Sequence, residues 1–202
     1  EPIRNLKNIE VLNCSGSAVE DLSSLRYLSS LISLNLSSTK LVDLTAIGEL
    51  ENITKLNISN SHVEDITPLE TIYSLNQLDI SHTRINNLSP ICELPHLSDV
   101  NISSTSVKSL EKISSLTSIQ HLNIDSTLIY SLVPLSNFEN MTVLQANNKD
   151  EVQEMINELM KNPGTIGYVL INFDGIPVKY FPEALPAVQY AALIADLVVK
   201  TK

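Results

Sequence analysis

The sequence predicts an α/β chain: a solenoid of about seven 22-residue units over residues 1–147, then a small α-β-β-α segment over 148–202. Three observations carry the prediction. The triads LNC, LNL, LNI, LDI, VNI and LNI begin at Leu12, Leu34, Leu56, Leu78, Val100 and Leu122, each 22 residues after the last, and Leu144 opens a degenerate seventh copy, LQA. Three residues upstream of each stands another apolar residue: Ile9, Leu31, Ile53, Leu75, Leu97, Ile119 and Met141. Beyond Asn147 the period is lost, and three of the chain's five glycines, Gly164, Gly167 and Gly175, fall close together.

Each unit opens on a strand. In the triad the outer two residues face one way and the middle one faces out, as strand alternation demands. A second apolar group, including Leu41, Val63, Ile85, Val107 and Ile129, and then Leu44, Ile66, Leu88, Leu110 and Leu132, closes the interior. The pairs Ile47/Leu50, Leu69/Ile72, Ile91/Leu94 and Ile113/Leu116 line the return on the convex side. One unit cannot bury its own apolar face, so stability must come from stacking. Pro68, Pro90 and Pro134 share one column and favour an extended or short-turn return over a long helix. In-register L-x-x-L-x-L resembles the leucine-rich repeat family, and the tight 22-residue form is similar to bacterial internalins and the short-repeat phosphatase-regulator class.

Two outward columns are candidates for function. The middle strand position reads Asn13, Asn35, Asn57, Asp79, Asn101 and Asn123. It is either a ladder that grips a ligand or a set of side-chain amides bonded from rung to rung, and its near-invariance favours the second. The neighbouring column, Ser33, Lys55, Gln77, Asp99 and His121, varies as a contact surface should. Lys55, Gln77, Asp99 and His121, with Asp79 and Asn123 beside them, are therefore the concave-face contact candidates. A third column, Asp21, Asp43, Asp65 and Asn87, is expected to accept backbone N–H bonds in the following turn rather than to bind a cation. The four histidines fall at four different repeat offsets, so no metal site is expected. Seven N-x-S/T sequons are present, but four of them lie in the single Asn column, where glycans about 5 Å apart would clash. Repetition of the unit explains them better than glycosylation.

Composition narrows the function classes. With 13 Lys and Arg against 23 Asp and Glu, the net charge of −10 argues against nucleic acid. The charge is −7 over residues 1–149 (9 − 16) and −3 over 150–202 (4 − 7), so neither part is basic. No apolar run reaches the ~20 residues of a membrane span. The longest candidate, 184–199, contains Pro186, Gln189 and Asp196. Cys14 and Cys92 lie at least three rungs apart, roughly 14 Å at ~4.8 Å per rung, beyond disulfide reach. Two free thiols suit a reducing cytoplasm. No nucleophile–base pairing, phosphate loop or zinc signature appears, so no catalytic residue, metal or cofactor is expected.

After Asp150, Val152, Met155, Ile156, Leu159 and Met160 recur at helical spacing, and Asn162–Pro163–Gly164 stops the helix. Asp174–Gly175 between two apolar runs is a hairpin-turn signal. Pro177 cannot donate to a ladder, so its strand should have a free edge or a bulge nearby. The last segment reads as a helix after Pro186, apolar nearly all round and so in want of cover on two faces.

The glycine pair Gly164/Gly167, the Asp174–Gly175–Ile176–Pro177 turn and the helix opening Gln189–Tyr190–Ala191 together resemble the first half of the roadblock family of dynein light chains, over about a quarter of the chain. The resemblance implies a non-enzymatic role, homodimerisation through the second helix and a sheet edge, and docking on the dynein intermediate chain. It places the interface on Gln189, Tyr190, Leu193, Ile194, Leu197, Val178 and Tyr180. The family's domain continues with further strands and a last helix, and this chain stops at Lys202. Two expectations follow: a dynein-associated, cytoplasmic adaptor with a leucine-rich repeat binding surface, or a leucine-rich repeat scaffold with no motor link, the tail serving as a cap.

Overall fold

The computed structural model describes residues 5–138, 140–146, 168–171 and 177–181. Seven three-residue strands recur, each starting one residue ahead of a predicted triad. They are β1 Val11–Asn13, β2 Ser33–Asn35, β3 Lys55–Asn57, β4 Gln77–Asp79, β5 Asp99–Asn101, β6 His121–Asn123 and β7 Val143–Gln145. Neighbours pair in parallel at a constant offset, Leu12 opposite Leu34, Leu34 opposite Leu56, and so on to Leu122 opposite Leu144. The 22-residue period of the sequence is thus the register of the sheet.

Beyond each of β1 to β6 the chain passes through one residue with positive φ. Gly16, Ser38, Asn60, His82, Ser104 and Ser126 all have φ between 53° and 67°. In this conformation the chain turns while its N–H stays aimed at the next rung: Gly16 donates to Ser37 O, Ser38 to Ser59 O, Asn60 to Ser81 O and His82 to Ser103 O. Three residues further on, Leu41, Val63, Ile85, Val107 and Ile129 re-enter the core.

The return runs through a short 3-10 turn in each unit: Ser23–Tyr27, Thr45–Glu49, Thr67–Thr71, Ser89–Ile91, Glu111–Ile113 and Val133–Asn137. Pro68, Pro90 and Pro134 sit in the first turn of three of these, where a missing N–H leaves no bond unmade. Asp21, Asp43, Asp65 and Asn87 accept the backbone N–H of Ser23, Thr45, Thr67 and Ser89 at 2.7–3.0 Å, as the sequence predicts. Ser109 and Ser131 take over the same role with their hydroxyls.

The core is one continuous stack. The unit around β3 contributes seven buried apolar side chains: Ile53, Leu56, Ile58, Val63, Ile66, Leu69 and Ile72. At roughly 1.5–3 kcal/mol for each fully buried aliphatic group, this burial is the main source of stability, and it exists only because the neighbouring units cover it. Ile9, Leu12, Cys14 and Val19 of the first unit are only partly buried, while Leu132, Leu135 and Leu144 at the other end of the array are at most 2% exposed.

Two further strands, β8 Tyr168–Ile171 and β9 Pro177–Phe181, extend the sheet in the order β1 to β9. β8 pairs in parallel with β7, and β9 pairs antiparallel with β8. The antiparallel pair agrees with the expected hairpin, and its ladder shifts register where Ile171 meets Pro177. That is the irregularity a residue without an N–H imposes. The expected helices, the turn residues Asp174 and Gly175, and the interface candidates Gln189, Tyr190, Leu193, Ile194 and Leu197 lie outside the described residues, while Val178 and Tyr180 lie within β9.

Candidate functional site

The outward face of the sheet is built from two columns that strand alternation and register bring together, and a third, partly buried, follows in the turn beside them. The first runs Ser33, Lys55, Gln77, Asp99 and His121, each opposite the next across the ladder. Lys55 and His121 are exposed; Gln77 and Asp99 are half-buried. Asp99 is held from two sides. One carboxylate oxygen meets His121 Nδ1, and the other accepts the Ser98 hydroxyl at 2.6 Å. This contact becomes an ion pair when the imidazole is protonated.

The second column is the Asn/Asp ladder, and the structure corrects one expectation for it. Its hydrogen bonds do not run from rung to rung. Each side-chain oxygen instead accepts the backbone N–H two residues on: Asn13 from Ser15, Asn35 from Ser37, Asn57 from Ser59, Asp79 from Ser81, Asn101 from Ser103 and Asn123 from Asp125, at 2.9–3.1 Å. The reason is local. The chain turns after the strand, and an Asn or Asp at that point forms an Asx turn with its own backbone. Only an acceptor is required, which explains why Asp79 stands among asparagines.

The third column, Ser37, Ser59, Ser81, Ser103 and Asp125, follows in that turn. The hydroxyls of Ser59 and Ser81 donate back to Asn57 and Asp79 at 2.7 and 2.6 Å. Asp125 breaks this pattern. Its Oδ1 is buried without a hydrogen-bond partner among the described residues, and burial pushes its carboxyl pKa up.

The sequence reading missed one column entirely. Ser17, Thr39, Ser61, Thr83, Thr105 and Thr127 each donate a hydroxyl to the carbonyl three residues earlier, at 2.6–2.7 Å. Four of the six are buried. This is the place where the leucine-rich repeat pattern carries Asn or Cys. Here a hydroxyl satisfies the carbonyl within its own unit.

Of the six concave-face candidates, five lie on three consecutive strands, β4 to β6, and Lys55 lies on β3. Among the described residues no three His, Cys, Asp or Glu side chains come together as a metal site. Cys14 and Cys92 are free and half-buried, and burial raises the pKa of the Cys14 thiol.

No family model matches the chain. Among solved structures it is similar to an internalin of Listeria monocytogenes, with a TM-score of 0.72 and 25% identity over 85% of this chain and 50% of that one. A leucine-rich repeat protein of Leptospira interrogans is similar with a TM-score of 0.71 and 20% identity, over 79% of this chain and 43% of that one. A plant peptide hormone receptor, solved in complex with RGF2, gives 0.60 and 21%, over 72% of this chain and 26% of that one. The chain therefore spans about half the length of the internalin it matches. The open parallel sheet of seven strands and these neighbours fit a leucine-rich repeat solenoid.

Proposed function

We propose that this chain is a non-catalytic protein–protein interaction module, in which the repeat array presents its outward sheet face to a protein partner. We further propose that the tail makes it a cytoplasmic, cytoskeleton-associated component or adaptor of a dynein motor complex, through homodimerisation and contact with the dynein intermediate chain. The single observation that carries the first part is the contrast between columns. The Asn/Asp and Ser columns repeat because the turn needs them, whereas Ser33, Lys55, Gln77, Asp99 and His121 change at every rung although the backbone asks nothing different of them. The plant receptor, solved with a bound partner, supports the same use of a stacked array. No helix among the described residues is long and apolar enough to cross a membrane.

The dynein part rests on the roadblock-like residues Gly164/Gly167, Asp174 to Pro177 and Gln189 to Ala191, and on the antiparallel pairing of β8 with β9. A second reading, in which the tail serves as a C-terminal cap, is favoured by the parallel pairing of β8 on β7 and by the closed core beside it. Light scattering and an intermediate-chain pull-down separate the two. The dynein reading expects a dimer, capture by an intermediate-chain peptide, and loss of the dimer in Leu193→Asp. A strict monomer that fails to bind the peptide leaves only the cap. For the array, Gln77→Arg is expected to weaken partner binding at least about tenfold while leaving the denaturation midpoint in place. An unchanged affinity would remove the outward face from the binding role.

A further inference from the structure

The outward face is not evenly charged along the stack. On β2 and β3 and their turns, the three columns carry one charge, Lys55. On β4 to β6 they carry Asp79, Asp99 and Asp125 on three successive rungs, with no lysine, arginine or apolar residue and His121 as the one group able to offset them.

Each of these acids stands where the array itself uses an uncharged residue with the same backbone role. Asn fills the Asp79 place at Asn35, Asn57, Asn101 and Asn123; Gln77 precedes Asp99 in its column; Ser fills the Asp125 place at Ser37, Ser59, Ser81 and Ser103. Asp99 gains the Ser98 hydroxyl and His121 as partners, but the other two exchanges bring the fold no new bond. Asp79 accepts the bond an Asn would accept. Asp125 forfeits the hydroxyl bond that Ser59 and Ser81 make, and leaves a buried oxygen without a partner among the described residues. The three carboxylates stand on successive rungs about 4.8 Å apart, each in a different column. The Asn rule is broken at Asp79 and the Ser rule at Asp125, the second at a cost to the fold, and such exceptions on one face are the mark of a surface shaped for a partner.

We propose that the β4–β6 part of this face docks an extended polypeptide segment of a partner protein that carries lysine or arginine side chains. This rests on the reading of the outward face as the binding surface. Charge complementarity selects the basic side chains. The absence of apolar residues on these rungs excludes an amphipathic helix, which needs a greasy groove. The amide and carboxylate groups suit the exposed N–H and C=O groups of an extended chain, whose alternate side chains would meet the carboxylates.

The test uses the full chain and three labelled hexapeptides, Lys-Ser, Gln-Ser and Glu-Ser each repeated three times, with binding read by fluorescence anisotropy. Two triple variants are compared. Asp79→Asn/Asp99→Gln/Asp125→Ser restores the array's own residues on the face. Asp21→Asn/Asp43→Asn/Asp65→Asn removes the same charge from the turn column, with the amide of Asn87 as precedent. The lysine peptide alone should bind, about tenfold more weakly to the face variant and within about twofold of wild type to the turn variant. Equal loss in both variants would reduce the effect to net charge and overturn the proposal, as would binding of no peptide or equal binding of the lysine and glutamine peptides. If the glutamine or glutamate peptide binds and Gln77→Arg abolishes it, the face remains a binding surface and only its assignment to basic segments fails. The face variant should also keep a cooperative unfolding transition, since each new residue recurs in the array.

Discussion

Thr83 occupies a buried place where a side chain meets a carbonyl that no strand neighbour satisfies. Its hydroxyl donates to Ile80 O at 2.6 Å, and the same bond recurs from Ser17 to Thr127. Thr83→Val keeps the shape and leaves that carbonyl short of a donor, so it should cost about 1–2 kcal/mol in urea denaturation, while Thr83→Ser should stay near wild type. The column was present in the sequence at the same spacing as the leucines. It escaped notice because serine and threonine also crowd the neighbouring surface positions, and hydrophobic periodicity is blind to them. The left-handed residues were hidden for a related reason: Gly16 and Asn60 are types that favour the conformation, but Ser38, Ser104 and Ser126 adopt it with an ordinary side chain, Ser104 at φ 53°. Ser104→Gly is expected to raise stability by about 0.5–1 kcal/mol, because glycine relieves the Cβ penalty at positive φ. Asp125 is a third residue whose character only the structure shows, since burial of one oxygen depends on the turn around it.

At the scale of the element, the return turns pack closely enough to dictate one residue type. A Cβ on Gly48 would sit 2.8 Å from the Pro68 carbonyl oxygen of the next unit, which is backbone and cannot swing away. Gly48→Ala should therefore destabilise by about 1–3 kcal/mol, measured by chemical denaturation. The same turns carry the carboxylates of Asp21, Asp43 and Asp65. The Ser23 backbone N–H and then its hydroxyl lower the pKa of Asp21, while the Thr45 and Thr67 hydroxyls and then their N–H groups lower those of Asp43 and Asp65. A folded pKa below the unfolded 3.8 means that the contribution is fully present above that value and is lost as pH falls through the lowered one. Thermal melts between about pH 5 and pH 2 should show this acid loss, and Asp43→Asn/Asp65→Asn should flatten it. The strands and turns were legible because each apolar column has a fixed place in the unit. The side-chain bonds of the Asn ladder were not, since the same residues could bond along the stack or within a turn, and only backbone geometry decides.

At the scale of the molecule, stability is a sum over stacked neighbours, so position along the stack sets the cost of a defect. Leu78 on β4 is 2% exposed between two units, whereas Leu12 on β1 is only partly covered. Leu78→Ala should cost about 2–5 kcal/mol and Leu12→Ala clearly less, as read from denaturation midpoints. The solenoid itself could be read from the sequence, because a seven-fold repetition leaves one topology. The pairing of β8 on β7 could not, because nothing in the periodicity of residues 1–147 says that a further strand would continue the sheet. The constant register has a further consequence for how such a chain changes length. Each Asx turn and each inner hydroxyl bond closes inside its own unit, and the ladder joins only like positions. Excision of residues 77–98 would bring Asn76 before Asp99 and set Lys55 opposite Asp99 with every column intact. The gene can thus lengthen or shorten this protein by whole cassettes, and each such step redraws the order of residues on the outward face without disturbing the architecture beneath it.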